Sequence, residues 1–172
     1  MTKHEVPKAE SAEAKEVFAF FGLAFYAANL LEVGVINLAV ALLRRNVSGI
    51  TTEDIDNLYA SFDNKTFGQV LKLAEKEIKF PKDVSEKLKT ALSQRNHLAH
   101  AYFKDNDVNF ISHEGRTRMI EQLRKTIHEM NVLDDAMDVY FVEAWESLGI
   151  SREQIEKEVS QRMEALVGKE KT

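Results

Sequence analysis

Residues 94–103, Gln-Arg-Asn-His-Leu-Ala-His-Ala-Tyr-Phe, concentrate the groups with which this chain could do chemistry. Read as helix at about 100° per residue, Arg95 falls in the middle of the arc marked by Leu88, Ala91, Leu92, Leu98 and Ala99, and Tyr102 lies on the same arc. Asn96 and His100, at i and i+4, share its flank. A guanidinium set centrally on an apolar stripe cannot be buried alone. It takes a carboxylate partner, or it lines a cleft or interface where an anion arrives. Glu32 poses the mirror-image problem, on an arc with Phe18, Phe21, Phe25, Ile36 and Leu43. An Arg95–Glu32 pair that fixes helix register satisfies both residues, so the spacing leaves a structural and a functional role open.

Weaker signals surround this segment. His97 lies further from the core arc than His100, toward solvent or a second copy of the chain. The two have i, i+3 spacing that a metal accepts, but no third ligand is evident and no metal is expected. Asp105-Asn106-Asp107-Val108-Asn109 begins like a calcium loop and then fails, because Phe110 replaces the turn glycine and Arg116 the bidentate glutamate. Arg44, Arg45, Arg116 and Arg118, with Lys82, Lys87 and Lys89, are candidates for a local basic rim that would meet phosphate groups. Charged helix surface is the commoner explanation for such residues.

Helices must position these groups. The first is expected from about Ala9 to Arg45, closed by Asn46-Val47-Ser48-Gly49. Thr51 to Asp54 and Thr66 to Gln69 resemble capping boxes that open two short helices. Pro81-Lys82-Asp83, with Glu86 as a cap partner, starts the helix that carries Arg95 and continues to about Phe103. Lys104 to Asn109 reads as a polar connection, followed by an extended stretch at 109–112. A long helix from about Glu114 to Leu148 carries Met119, Ile120, Leu123, Ile127, Met130 and 133–136 at helical spacing. Gly149 ends it, and Ser151 with Gln154 caps an amphipathic helix bearing Ile155, Val159, Met163 and Leu166. The expectation is an all-α bundle of about five or six helices with a long first helix, forming a single domain over 1–172. Residues 1–8 are expected to be disordered, and 151–172 to form the C-terminal helix and tail.

Composition narrows the function classes. The 172 residues include two prolines, seven glycines and no cysteine, which excludes a disulfide framework, a Cys-ligated metal and a thiol nucleophile. A net charge of −5 gives no global pull toward nucleic acid or anionic membrane, so such a partner must meet a local patch. From Val17 to Leu43 the sole charged residue is Glu32, and a run of that length can span a bilayer. An ionised carboxylate near its centre costs roughly 2.5–3.5 kcal/mol in that setting, which favours a helix buried in a bundle over a membrane-associated one. Residues 1–16 carry no basic leader or small-residue cleavage site, so a cytoplasmic location is expected.

Arg95, Asn96 and His100 fit an Arg–polar–x3–His pattern near the end of a bundle helix, and this resembles the HEPN superfamily of endoribonucleases. The run Arg-Asn-His-Leu-Ala-His-Ala-Tyr-Phe looks like that family's usual surroundings. So do Phe-Gly-Leu-Ala-Phe-Tyr-Ala-Ala-Asn-Leu-Leu-Glu (21–32), Thr66-Phe67-Gly68-Gln69 and the stretch from Gly115 to Leu123. The likeness covers about residues 18–125. It implies a HEPN-like fold and metal-independent RNA cleavage without a cofactor, in which the ribose 2′-OH attacks the adjacent phosphate. The ends would be a 2′,3′-cyclic phosphate and a 5′-OH. It implies His100 as the proton-transfer group, Arg95 as the cation on the phosphorane, Asn96 as an orienting group and Glu32 as a support for Arg95. A homodimer with two motifs in one cleft, and a role as a toxin or defence component opposed by an antitoxin, belong to the same implication. The alternative is a catalytically silent HEPN-like module for protein interaction. Arg95, His100 and Tyr102 also match the Arg–x4–His–x–Tyr form of HepT-like toxins, in which a partner nucleotidyltransferase adenylylates the tyrosine. Packing on the core arc is the simpler role for Tyr102.

Overall fold

The apolar run that begins at Val17 becomes the central helix of the bundle. In the computed structural model, helix α1 spans Ala14–Arg44 and buries Val17, Phe20, Ala24, Ala27, Ala28, Leu31, Val35 and Leu38, a stripe at three- and four-residue spacing. The structure describes residues 6–45, 47, 49 and 51–169, and the side chains of these except 52, 162, 163 and 165–169. Among the described residues every regular element is a helix: α2 (Thr52–Ala60), α3 (Phe67–Glu77), α4 (Lys82–His100), α5 (Tyr102–Asp105), α6 (Asp107–Ile111), α7 (His113–Glu146) and α8 (Arg152–Lys169) follow α1.

α1 packs most extensively on α7. The two run parallel, since Arg116 Nε donates to the Ala12 carbonyl at 2.7 Å near one end. Near the other, a β-carbon on Gly34 would lie 3.2 Å from the Asp134 carboxylate. Parallel neighbours need a long return, and α2 to α6 supply it. α4 runs antiparallel to α1, because Arg95 meets Glu32 while Tyr102 and Phe103 meet Phe21 and Phe18 further back along α1. Side-chain chemistry fixes the starts. Thr51 with Asp54 and Thr66 with Gln69 form complete capping boxes. Ser112 Oγ accepts from the Gly115 amide, and Ser151 pairs reciprocally with Gln154. Each cap is worth ~0.5–2 kcal/mol. Gly149, at φ +81°, turns the chain after α7 as only glycine does without strain.

Several boundaries differ from those expected, each for a local reason. α1 starts at Ala14 rather than Ala9, with extended geometry at Glu13 and Arg116 bound to the Ala12 carbonyl just before it. Asp83 does not cap α4; it sits in the first turn and pairs with Lys87 at 4.0 Å. α4 stops at His100, where Ala101 leaves helical geometry at φ −134°. The connection after it is two short helices, held by the buried Asn106, whose amide donates to the Tyr102 carbonyl at 2.9 Å. These two account for the excess over five or six helices, and only Ser112 of the extended stretch is extended. Ala99 and Ala136 face solvent rather than the core, and Met137 is buried instead.

Residues 1–5 of the segment expected to be disordered lie outside the described residues. Val6 rests against the core, and the Pro7 carbonyl accepts from Arg124 Nε at 3.1 Å. The stop signal at Asn46 and Ser48 and the side chains of Met163 and Leu166 also lie outside the described residues. α1 is long and apolar enough to cross a membrane by length and composition, with mean hydropathy 1.7 and half of its most apolar window buried in the bundle.

Candidate functional site

The apolar residues around Arg95 anchor the middle of α4 and leave its guanidinium over α1, at the edge of the core. Glu32 rises to meet it from between Leu31, which is buried, and Val33, which is exposed. Both Nε and Nη2 of Arg95 lie 3.2 Å from one oxygen of Glu32. The side chains keep 25% and 14% of their accessible surface, so the pair is half-sunk rather than sealed. Nη1 reaches the Asn96 side-chain oxygen at 3.5 Å. The structure therefore brings Arg95, Glu32 and Asn96 together. Glu32 is not central to the buried stripe of α1, since Phe18 on its arc is exposed and Phe21 and Phe25 are half-buried.

His100 occupies the last turn of α4 with its side chain exposed, and none of the described residues hydrogen-bonds to it. His97, one turn earlier, lies with Nε2 3.1 Å from Asp105 Oδ2 and its ring edge-on to Tyr102, centroids 5.8 Å apart. Among the described residues no three His, Cys, Asp or Glu side chains gather as a metal site. Asp105 and Asp107 belong to α5 and α6, and Asp107 accepts from the Val108 amide.

Tyr102 is sunk to 4% exposure among Phe21 and Phe103, and its hydroxyl donates to the Met119 carbonyl at 3.2 Å. Burial pushes its phenol pKa up, which keeps the hydroxyl neutral. Tyr102 thus packs on the core arc, and its hydroxyl is closed to a modifying enzyme in this conformation.

The four arginines considered for an RNA rim do not surround Arg95. Arg44 and Arg45 lie at the C-terminal end of α1, where Arg44 Nη2 donates to the Asp54 carbonyl at 3.2 Å and Arg45 Nη2 to the Glu77 carbonyl at 2.8 Å. Arg116 and Arg118 sit at the opposite end of the bundle, roughly 45 Å away along α1. There Arg116 binds the carbonyls of Ala12, Phe110 and Ile111, and Arg118 binds the Asn109 side chain. These groups are structural ties, and a single basic rim is not formed.

Three features were not read from the sequence. The first is Asp105 as partner of His97, hidden because the segment lacked an apolar repeat and read as loop. The second is a groove of about 410 Å³ between α4 and α7, floored by Ala91, Val132 and Leu133 and edged by Gln94, His128 and Glu129. The third is the place of the apolar surplus: Phe18, Tyr26, Leu30 and Val33 are exposed along α1. Val108 and Ile111 on α6 are exposed as well. No protein-family model, curated protein or solved structure matches this chain.

Proposed function

We propose that this protein is a metal-independent endoribonuclease of the HEPN type, acting as a homodimeric toxin or defence component in the cytoplasm under the control of an antitoxin. The observation that carries the reading is Arg95, Asn96 and an exposed His100 in the C-terminal turns of α4. Arg95 is held by Glu32 within reach of Asn96, and His100 is left to solvent one turn on. An imidazole exchanges protons near neutral pH. A positioned guanidinium stabilises the dianionic phosphorane that forms when a 2′-OH attacks the neighbouring phosphate. Asn96 orients the phosphate or the imidazole, and Glu32 fixes the fork of Arg95. The exposed apolar residues of α1 supply the surface on which a second copy completes the cleft. A nucleotidyltransferase acting on Tyr102 would require that residue to leave the core, so a different antitoxin fits better.

One observation favours a second reading. The guanidinium of Arg95 already has a carboxylate at 3.2 Å, and a partly buried ion pair can serve helix register alone. In that reading the chain is a helical interaction module without catalysis. Incubation with RNA in excess EDTA separates the two. The ribonuclease reading expects cleavage by the wild type and loss of about 10²-fold or more in Arg95→Ala and His100→Ala, with helicity retained. Equal product patterns from wild type and His100→Ala would leave the interaction module.

A further inference from the structure

Cleavage by 2′-OH attack moves two protons: one leaves the attacking hydroxyl and one must reach the departing 5′ oxygen. Each copy of the motif, as proposed above, supplies one imidazole, His100. A second stands one turn away. His97 precedes His100 by three residues on α4, which sets their β-carbons roughly 5–6 Å apart on neighbouring rows of the helix. Both side chains are exposed.

Unlike His100, His97 is held in place. An ionised carboxylate only accepts hydrogen bonds, so at 3.1 Å His97 Nε2–H donates to Asp105 and leaves Nδ1 as the nitrogen free to exchange a proton. Tyr102 lies edge-on to the ring. The break at Ala101 makes this contact. In a continuous helix residue 105 would stand about 12 Å further along the axis than residue 97. Here α5 begins afresh at Tyr102, its Asp105 amide bonded to the Ala101 carbonyl at 2.9 Å, and Asn106 binds the Tyr102 carbonyl. That geometry returns the Asp105 carboxylate to the last turn of α4.

We propose that His97 and His100 are the two proton-transfer groups of the RNA-cleaving site, with Asp105 as the positioning residue for His97. The proposal rests on the ribonuclease reading. One imidazole takes the 2′-OH proton as the O2′–P bond forms. The other delivers a proton to O5′ as the P–O5′ bond breaks, and both return to their starting states by exchange with water.

The test uses the full chain, an RNA oligonucleotide and its counterpart with sulfur at the bridging 5′ position, a thiolate that departs without needing a proton. His97→Gln keeps an N–H for Asp105, and so the tether, while removing proton transfer. Cleavage of ordinary RNA is expected to fall about 10²-fold or more in both His97→Gln and His100→Gln, at an unchanged Tm. Sulfur then restores one of the two variants to near wild-type rate and leaves the other slow. Asp105→Asn follows the pattern of His97→Gln with smaller amplitude. If His97→Gln cleaves ordinary RNA within a few-fold of wild type, or sulfur changes both variants alike, His97 is a tether and the proposal falls. The ribonuclease reading then still stands on His100. A wild-type chain that cleaves neither substrate overturns both.

Discussion

Glu32 and Arg95 each make sense only through the other. The carboxylate sits in an otherwise apolar helix and the guanidinium in the middle of an apolar arc, and a 3.2 Å contact joins them across 63 residues. Removing the carboxylate leaves a half-buried cation without its strongest acceptor. Glu32→Ala is therefore expected to cost about 1–3 kcal/mol in urea denaturation, and an unchanged midpoint would show the pair to be idle. Tyr102 carries a different signature. Its phenol pKa is raised by burial, so its contribution is complete below the ordinary phenol value of about 10 and is lost as pH rises above it. Thermal melts should show an alkaline fall in Tm for the wild type that is weaker in Tyr102→Phe. Equal alkaline falls would contradict the placement of that hydroxyl.

At the scale of elements, the long helices and their caps were legible because periodicity and capping chemistry act locally. Thr51, Thr66 and Ser151 announce helix starts with no help from the rest of the fold. The register of α1 was read less well. An arc of phenylalanines around Glu32 reads as core, yet the buried stripe runs through Phe20, Ala24, Ala27, Ala28 and Leu31. α5 and α6 were illegible because side-chain ties, not an apolar repeat, hold them: Asn106 on the Tyr102 carbonyl, Arg116 on the C-terminal end of α6, and the close approach of α6 to α7. Gly115 is the hinge of that approach, where a β-carbon would lie 2.0 Å from the Asn109 carbonyl oxygen. Gly115→Ala is expected to displace α6 and destabilise the fold by roughly 1–3 kcal/mol. Chemical-shift changes confined to residue 115, at wild-type stability, would speak against this packing. The Arg95–Asn96–His100 grouping could be read from spacing, whereas the Asp105 partner of His97 depended on a helix break that no local signal marks.

Across the whole molecule, α1 carries both exposed apolar residues and the carboxylate that holds Arg95. Phe18, Tyr26, Leu30 and Val33 line one side of α1, and Arg95 meets the same helix at Glu32. A stable dimer buries about 800 Å² per partner, and the exposed apolar residues of α1 lie on a face where such area can be assembled. In solution the wild type is expected to sediment as a dimer, and Tyr26→Glu with Leu30→Glu as a folded monomer with impaired cleavage. A monomeric wild type would remove the shared cleft. With a net charge of −5, and with Arg44, Arg45 and Arg116 bound to backbone carbonyls at the ends of the bundle, the described residues form no basic rim around Arg95. The burden falls on the small centre around Arg95 and His100. End-group analysis of a defined RNA incubated in EDTA tests that centre most directly. Wild type should yield 2′,3′-cyclic phosphate and 5′-OH ends that disappear in His100→Ala. The same ends at the same rate from His100→Ala, or none from the folded wild type, would contradict it.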